Sequence, residues 1–438
     1  MQSESGTARA VQIPQMNTPP VERTGLLGSA LRIASGTALG QVWVILATPL
    51  LSRLYSPADF GVFGLFSAFV GVASVAATLR LEMGLPSARD DAAEMDLLVA
   101  ILWVSVPVAV ALAALLWPLS RIDAFGFGAL PDTACLLAGP AILGIGLNGA
   151  FRYLQTRRMA FALIGRSQSA QGLGRAVIPL ICWPLLPGWI GLAIGDTLGR
   201  LVGLRPLIGD VAASLWQRLR TFRAADLYES LRTHRRYMQV LLPSSLIDAA
   251  AVALPLPIIT QLFGLAAAGE YALVSRVAAV PGALVGNSIA DAFHGHAVEW
   301  LRRRDGSALT GLGRTARRLL LASACIYLPS ALLAPAVFPL VFGGQWTRAG
   351  WVFVMLVPML AAGLVVSPLS RVLIVTNRMH WKLVVDLLFL ILPCVVLWLA
   401  SPRGFLVALA GFAGTSAAVF AFYGWLLHRA VCSAEQEH

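Results

Sequence analysis

The stretch LSRLYSPADFGVFGLFSAF, Leu51 to Phe69, interrupts a long apolar run with an arginine, a Ser-Pro turn and an aspartate. The stretch TQLFGLAAAGEYALVSRV, Thr260 to Val277, has the same pattern. At an offset of 208 positions, which separates Gly61 from Gly269, Gly-Val-Phe of the first stretch aligns with Gly-Glu-Tyr of the second. A turn that recurs between apolar runs indicates an internal duplication.

The composition predicts a membrane protein. Of the 438 residues, 58% are apolar and 13% are charged, and a water-soluble globule cannot bury that share of apolar side chains. One helix needs roughly 20 apolar residues to cross a bilayer core, and we find about twelve such runs, too long and too uniformly apolar for barrel strands. The predicted fold class is therefore all-α, with spans near residues 30–52, 61–81, 97–119, 133–151, 167–187, 189–209, 239–262, 270–291, 318–341, 350–370, 381–400 and 404–427.

A second repeat supports the duplication. TRRMAF at 156–161 resembles TNRMHW at 376–381, and both repeats fall at matching places in two sets of six spans. Because six is even, the two sets share one orientation, so we expect two pseudo-symmetric six-helix bundles around a central cavity, related by an axis along the membrane normal. The N-terminal lobe is residues 30–209 and the C-terminal lobe is residues 239–428.

The repeated turn has a local explanation. Pro57 presets the backbone of the turn, Asp59 is expected to cap the following helix, and Gly61 or Gly269 is expected to open it.

The net charge of +11 follows a topological pattern. The predicted outer loops hold only four of the 33 Lys and Arg residues, Arg53, Arg121, Arg348 and Arg403. The positive-inside rule then predicts a multi-pass membrane protein with both tails, residues 1–29 and 429–438, in the cytoplasm. The polar first residues indicate that the first span itself serves as the insertion signal. The excess of arginine thus needs no nucleic-acid partner.

The segment between the lobes, residues 210–238, is basic. Its apolar residues at 215, 219, 222 and 231 have near-helical spacing, which fits an amphipathic helix on the inner leaflet. A charged connector is the alternative.

The N-terminal part of the chain resembles a known family. Leu26 to Leu98 contain LLGSALRIASGTALGQV, LSRLYSPADFGVFGLF and RLEMGLPSARDDAAEMDLL, which resemble the polysaccharide transporters of the O-antigen flippase type. That family belongs to the superfamily that also holds the multidrug and toxic compound extruders. The resemblance implies a MATE-like fold that flips an oligosaccharide on a polyprenyl diphosphate carrier, beside membrane lipids and the polysaccharide polymerase machinery.

Charged residues within spans are candidates for function, because each costs several kcal/mol, roughly 2.5 to 3.5, on insertion scales. We take Arg276 as a phosphate-binding residue because a guanidinium has a planar set of donors and stays charged. Arg53 marks the outer mouth, and Arg80 with Glu82 marks the inner end of the second span.

Asp248 is the candidate for coupling to an ion, with H⁺ or Na⁺ as the coupling ion and no other cofactor. An ion pair between Asp248 and Arg276 is the competing structural interpretation, because their depths in neighbouring spans match. For Arg175 with Asp196, and for Lys382 with Asp386 at i,i+4, we expect structural pairs.

Other functional classes fit less well. Five scattered cysteines, and His294 with His296 in a loop, give no metal site. No GxxxxGK[ST] motif occurs, and the short outer loops carry no carboxylate cluster. We therefore expect no catalytic residues and no enzyme. A cation-coupled drug extruder of the same fold and a membrane glycosyl polymerase remain the alternatives.

Overall fold

We analysed a computed structural model of the chain, which describes residues 23–186, 188–282, 293, 299–300, 307–376 and 378–436. Nearly all of these residues are helical, which confirms the all-α prediction. The pair His294 and His296 lies outside the described residues. The helices are α1 Arg23–Leu54, α2 Pro57–Ala77, α3 Asp91–Arg121, α4 Thr133–Arg157, α5 Phe161–Cys182, α6 Trp189–Ile208, α7 Ala212–Thr221, α8 Ala224–Thr233, α9 Leu242–Ala253, α10 Pro255–Pro281, α11 Ser307–Phe342, α12 Thr347–Leu369, α13 Val372–Val375, α14 Met379–Ala400 and α15 Phe405–Gln436.

The described helices coincide with the predicted spans, and residues 283–291 of the predicted span 270–291 lie outside the described residues. In the described part of the chain, nine helical segments are long and apolar enough to cross a membrane. One of them, Tyr237–Val280, has 44 residues and contains two crossings, because the backbone leaves the helical conformation at Gly264, where φ is 81°. A helix of that length would measure about 66 Å without the break, twice the bilayer core.

Helices α5 and α6 are of spanning length but less apolar than those nine segments, and the sequence explains why. They pack on each other, and α5 packs on α1, through small residues: a Cβ on Gly172 would overlap the backbone of Gly40, and a Cβ on Gly174 would lie 2.7 Å from the Cα of Gly199. Packing of small residues lets helices associate closely in lipid without large apolar side chains. The composition of these helices therefore lowers the hydropathy signal of two spans.

The two lobes meet at the end of the bundle that carries the α1–α2 turn, here called the turn end. Ser56 is the N-cap of α2 and forms a reciprocal capping box with Asp59, directly around Pro57. We predicted that Gly61 would open this helix, and that prediction is wrong because the helix begins at Pro57. Gly61 lies inside the first turns of α2, where it contacts the C-terminal lobe: a Cβ there would overlap the carbonyl oxygen of Leu265.

The second repeat has matching local structure in both lobes. The hydroxyl of Thr156 donates to the carbonyl of Arg152 at 2.8 Å, and the hydroxyl of Thr376 donates to the carbonyl of Val372 at 3.0 Å. Each threonine thus bonds four residues back, next to the helix that enters the fifth span of its lobe.

The basic segment between the lobes forms two ten-residue helices, α7 and α8, at the opposite end of the bundle, here called the linker end. Leu215 and Phe222 are buried in an apolar cluster with residues of α3 and α4. Arg218 binds both Asp96 of α3 and Asp226 of α8. The segment is therefore attached to the N-terminal lobe by apolar contacts and ion pairs.

Candidate functional site

A cavity of about 1320 Å³ lies between the two lobes. Its walls come mainly from α2, α9, α10, α12 and α15. Among the described residues that line it, five arginines and two aspartates give a charge of 5 − 2 = +3, from Arg80, Arg175, Arg200, Arg276, Arg371, Asp196 and Asp248. An apolar wall with a few convergent charges is the usual form of a ligand site.

The N-terminal lobe contributes a carboxylate held between two guanidinium groups. Nε of Arg175, on α5, donates to Oδ1 of Asp196 at 2.5 Å, as the expected pairing requires. Nε of Arg200 donates to Oδ2 of Asp196 at 2.7 Å from one helical turn along α6. Asn148 of α4 donates to the carbonyl of Arg200 at 2.8 Å and fixes the helix at this point.

Arg276 of α10 approaches this group from the C-terminal lobe. It interacts electrostatically with Arg175, Arg200 and Asp196. Its buried Nε atom has no hydrogen-bond partner among the described residues. A buried donor without an acceptor is costly, and here it belongs to a cation that faces two like charges. We call Arg175, Arg200, Arg276 and Asp196 the arginine cluster, and its net charge is 3 − 1 = +2.

The alternative pairing of Asp248 with Arg276 is not formed. Asp248, on α9, lies 3.5 Å from Nζ of Lys382 on α14, and its side chain is 62% exposed on the cavity wall. Lys382 makes the shorter pair with Asp386, at 2.5 Å, as the i,i+4 spacing predicted. Depth along a helix was estimated from the rise per residue, which does not give the rotation of the side chain about the helix axis.

Two further candidate residues lie at opposite ends of the bundle. Arg53 is exposed at the turn end, where its Nη2 donates to the carbonyl of Leu340 at 2.9 Å, so in this conformation it joins the lobes. Arg80 lines the cavity towards the linker end and lies 3.4 Å from Glu82. Its φ of 61° is unusual for a residue with a side chain, and its buried Nε has no partner among the described residues.

Sequence reasoning missed two cavity residues. Arg200 lies within the predicted span 189–209 but was not among the candidate residues, although its i,i+4 spacing from Asp196 was a usable signal. Arg371 stands next to the end of α12 and lines the cavity, and no motif in the sequence marked it.

A charged cavity between two helical lobes is the layout typical of secondary transporters. The sequence profile of a family described as polysaccharide biosynthesis protein matches residues 50–350, more than half of the chain, and the chain belongs to that family. The chain is 23% identical over 353 residues to the succinoglycan biosynthesis transport protein ExoT of Rhizobium meliloti. That alignment covers 77% of this chain and 65% of the relative, so the chain spans less than two thirds of its relative's length.

Solved structures agree with the MATE-like prediction. A multidrug resistance MATE family transporter of the MOP superfamily, in an inward-facing conformation, superposes with a TM-score of 0.70 at 16% identity and covers 97% of this chain and 98% of its own. The lipid II flippase MurJ, in an inward closed conformation, superposes with a TM-score of 0.68 at 12% identity over 91% of this chain and 87% of its own. The relatives named in these comparisons are transport proteins, and the chain shares the fold of the two solved ones.

Proposed function

We propose that this protein flips a lipid-linked oligosaccharide, carried on a polyprenyl diphosphate, from the cytoplasmic to the outer leaflet of a bacterial inner membrane. The observation that carries the proposal is the arginine cluster, in which both lobes contribute guanidinium groups to one cavity. The match to polysaccharide biosynthesis proteins supports the same substrate class.

The cluster suits a diphosphate. A diphosphate diester carries two negative charges near neutral pH, which equals the +2 charge of the cluster. Guanidinium groups match phosphate oxygens with paired donors, and arginine stays charged in a site of low polarity. Asp196 orients Arg175 and Arg200 and moderates their charge. The moderated charge favours a site that releases the anion as well as binding it.

Alternating access would proceed by separation of the lobes at the turn end. In this conformation the lobes are joined there: Trp346 donates to the carbonyl of Ser52 at 2.7 Å, and Phe60 packs edge-to-face on the same tryptophan at 5.2 Å. The outer leaflet is reached only when these contacts break.

Asp248 remains our candidate for coupling to H⁺ or Na⁺. The structure supports it by exposure on the cavity wall and by its position beside Lys382, which also binds Asp386. A carboxylate that shares one ammonium group with a second carboxylate changes the charge of the group when it takes up a cation. Binding of H⁺ or Na⁺ at Asp248 would therefore alter the link between α9 and α14.

The alternatives differ in the charge that they need. A drug extruder that exports cations would favour carboxylates in its cavity, whereas here the lining charge is positive. A glycosyl polymerase would need an acid or a nucleophile outside the membrane, and its machinery is better considered as the partner that consumes the flipped substrate.

The test is the fate of the lipid-linked repeat unit in cells. Arg276→Ala at native expression should cause lipid-linked repeat units to accumulate on the inner leaflet. Arg403→Ala, an exposed arginine at the turn end, is the matched control and should export normally. Normal surface polysaccharide with Arg276→Ala would reject the proposal, and sensitivity to cationic drugs alone would favour the extruder.

A further inference from the structure

The two walls of the cavity differ in chemistry. Among the described residues, the N-terminal lobe supplies most of the arginine cluster, and only Phe60 and Phe63 are its aromatic lining residues. The C-terminal lobe supplies five aromatic lining residues, which are Tyr271, Tyr327, Phe389, Phe412 and Phe420. One wall is therefore suited to an anion and the other to a ring.

Phe389 and Phe420 form the open part of the aromatic wall. Both are only partly buried, whereas Phe412 is 4% exposed. Their ring centroids are 4.4 Å apart at an interplanar angle of 61°. Gly363 lies beneath them, and a Cβ there would be 3.2 Å from Cζ of Phe420, so this glycine leaves room for the ring.

The depth of this pair matches a group attached to a bound phosphate. Phe412 packs against Tyr271. At 1.5 Å per residue, Phe420 lies about 12 Å beyond Phe412 along α15, and Arg276 lies about 7.5 Å beyond Tyr271 along α10, both towards the linker end. The pair is therefore about 4.5 Å deeper than Arg276, which places a sugar ring bound there next to the arginine cluster.

A hydroxyl group interrupts the aromatic wall. Ser367 follows Gly363 by one turn on α12, lines the cavity and is exposed. Ser416, one turn before Phe420, is buried and donates its hydroxyl to the carbonyl of Phe412 at 2.9 Å, so it supports α15 rather than the ligand. A pyranose ring has the complementary chemistry, since its C–H face is apolar and its edge carries hydroxyl groups.

We propose that Phe389, Phe420 and Ser367 form a saccharide subsite that binds the first sugar ring while the arginine cluster binds the diphosphate. The inference rests on the proposed function and deepens it. Rigid aromatic rings supply contact area at little cost in conformational entropy. A polyprenyl tail is the competing occupant of an apolar wall, although it has no use for the exposed hydroxyl of Ser367.

Binding of two probes to the purified protein separates the two halves of the cavity. The probes are farnesyl diphosphate and farnesyl diphosphate linked to a single glucose. Phe420→Ala should weaken binding of the glucose-bearing probe by about tenfold, the effect of one good aromatic contact, and should leave the affinity for farnesyl diphosphate unchanged. Phe420→Leu, which keeps the apolar volume but removes the ring, should have the same effect.

Two controls make the result decisive. Phe422→Ala changes a phenylalanine two residues along the same helix that stacks on Trp425 away from the cavity lining, and it should bind both probes normally. Arg276→Gln should weaken the binding of both probes. If Phe420→Ala lowers the affinity for both probes equally, the aromatic wall binds the lipid and the saccharide subsite is overturned. An unchanged affinity for both probes would overturn it as well. If Arg276→Gln changes neither affinity, the proposed function itself fails.

Discussion

Gly61 and Gly269 contact the opposite lobes reciprocally at the turn end. A Cβ on Gly61 would overlap the carbonyl oxygen of Leu265, and a Cβ on Gly269 would overlap the carbonyl oxygen of Pro57 and lie 2.9 Å from the amide nitrogen of Gly61. Pro57 and Leu265 are themselves 208 positions apart, like the two glycines. The repeat seen in the sequence is thus a symmetric contact at the pseudo-twofold axis, and it closes one end of the cavity.

Gly269→Ala should favour the conformation that is open at the turn end. The added methyl group cannot be accommodated while the backbones touch, because the overlap is with backbone atoms rather than with a flexible side chain. A single cysteine at Ser67, on the cavity wall, in a protein without its native cysteines, should react faster with an impermeant maleimide added at the turn end.

The matched control for this experiment is Gly71→Ala. Gly71 lies on α2 as Gly61 does, but a Cβ there would meet no atom within 4 Å. Its labelling rate should equal that of the parent protein. Identical rates for Gly269→Ala and Gly71→Ala would show that the glycine contact does not hold the turn end closed.

Phe222→Ala should destabilise the attachment of α7 and α8. Phe222 is 6% exposed, and its ring lies 6.0 Å from that of Trp103 on α3. Loss of a buried phenylalanine costs roughly 3 kcal/mol when the site does not collapse. We expect a lower Tm in detergent and faster proteolysis within residues 210–238. Tyr228→Ala removes a ring that is 68% exposed on α8 and should change neither quantity.

Lys382→Met should destabilise the protein more than Asp248→Asn does. The methionine leaves the carboxylate of Asp386, 12% exposed, without its partner, whereas Asp248 is 62% exposed and remains hydrated. Breaking a buried pair costs roughly 3–5 kcal/mol, and we expect about half of that here since Lys382 is itself partly exposed. The Tm of each variant, measured by thermal unfolding, tests this order of stability. A smaller loss of stability with Lys382→Met than with Asp248→Asn would mean that the pair of Lys382 with Asp386 is not buried in the protein.

The Asp248→Asn variant should insert into the membrane normally, but the pH dependence of its transport should be flatter than that of the parent protein. The asparagine is similar in size and cannot take up a proton or a sodium ion as a carboxylate does. Transport by proteoliposomes over a range of pH tests this expectation, with the amount of inserted protein measured in parallel. An unchanged pH profile with Asp248→Asn would remove Asp248 from ion coupling.

The bilayer explains how much of the fold was predictable. Hydropathy located the spans because lipid requires long apolar helices, and it was weakest at α5 and α6, where close contacts such as that of Gly172 with Gly40 replace large apolar side chains. The repeat was visible because the contact of Gly61 with the other lobe needs a glycine in both copies.

The site was predictable only where two charged residues lie one helical turn apart or on spans that are adjacent in sequence. Lys382 and Asp386 are one turn apart, and Arg175 and Asp196 lie on adjacent spans, so the sequence identified both pairs. Arg276 was recognised as a buried charge, but its neighbours come from the other lobe. Which side chains face each other across a cavity depends on helix rotation and on packing between the lobes, and neither leaves a periodic signal in one sequence.

The central claim is that the arginine cluster carries a diphosphate across the membrane. The most direct measurement is the rate at which purified protein in liposomes moves a fluorescent farnesyl-diphosphate-linked glucose between leaflets. We expect transport by the parent protein, partial transport by Arg276→Lys, which keeps the charge but loses the paired donors, and none by Arg276→Ala at equal reconstitution. Transport by Arg276→Ala at the parent rate would contradict the account.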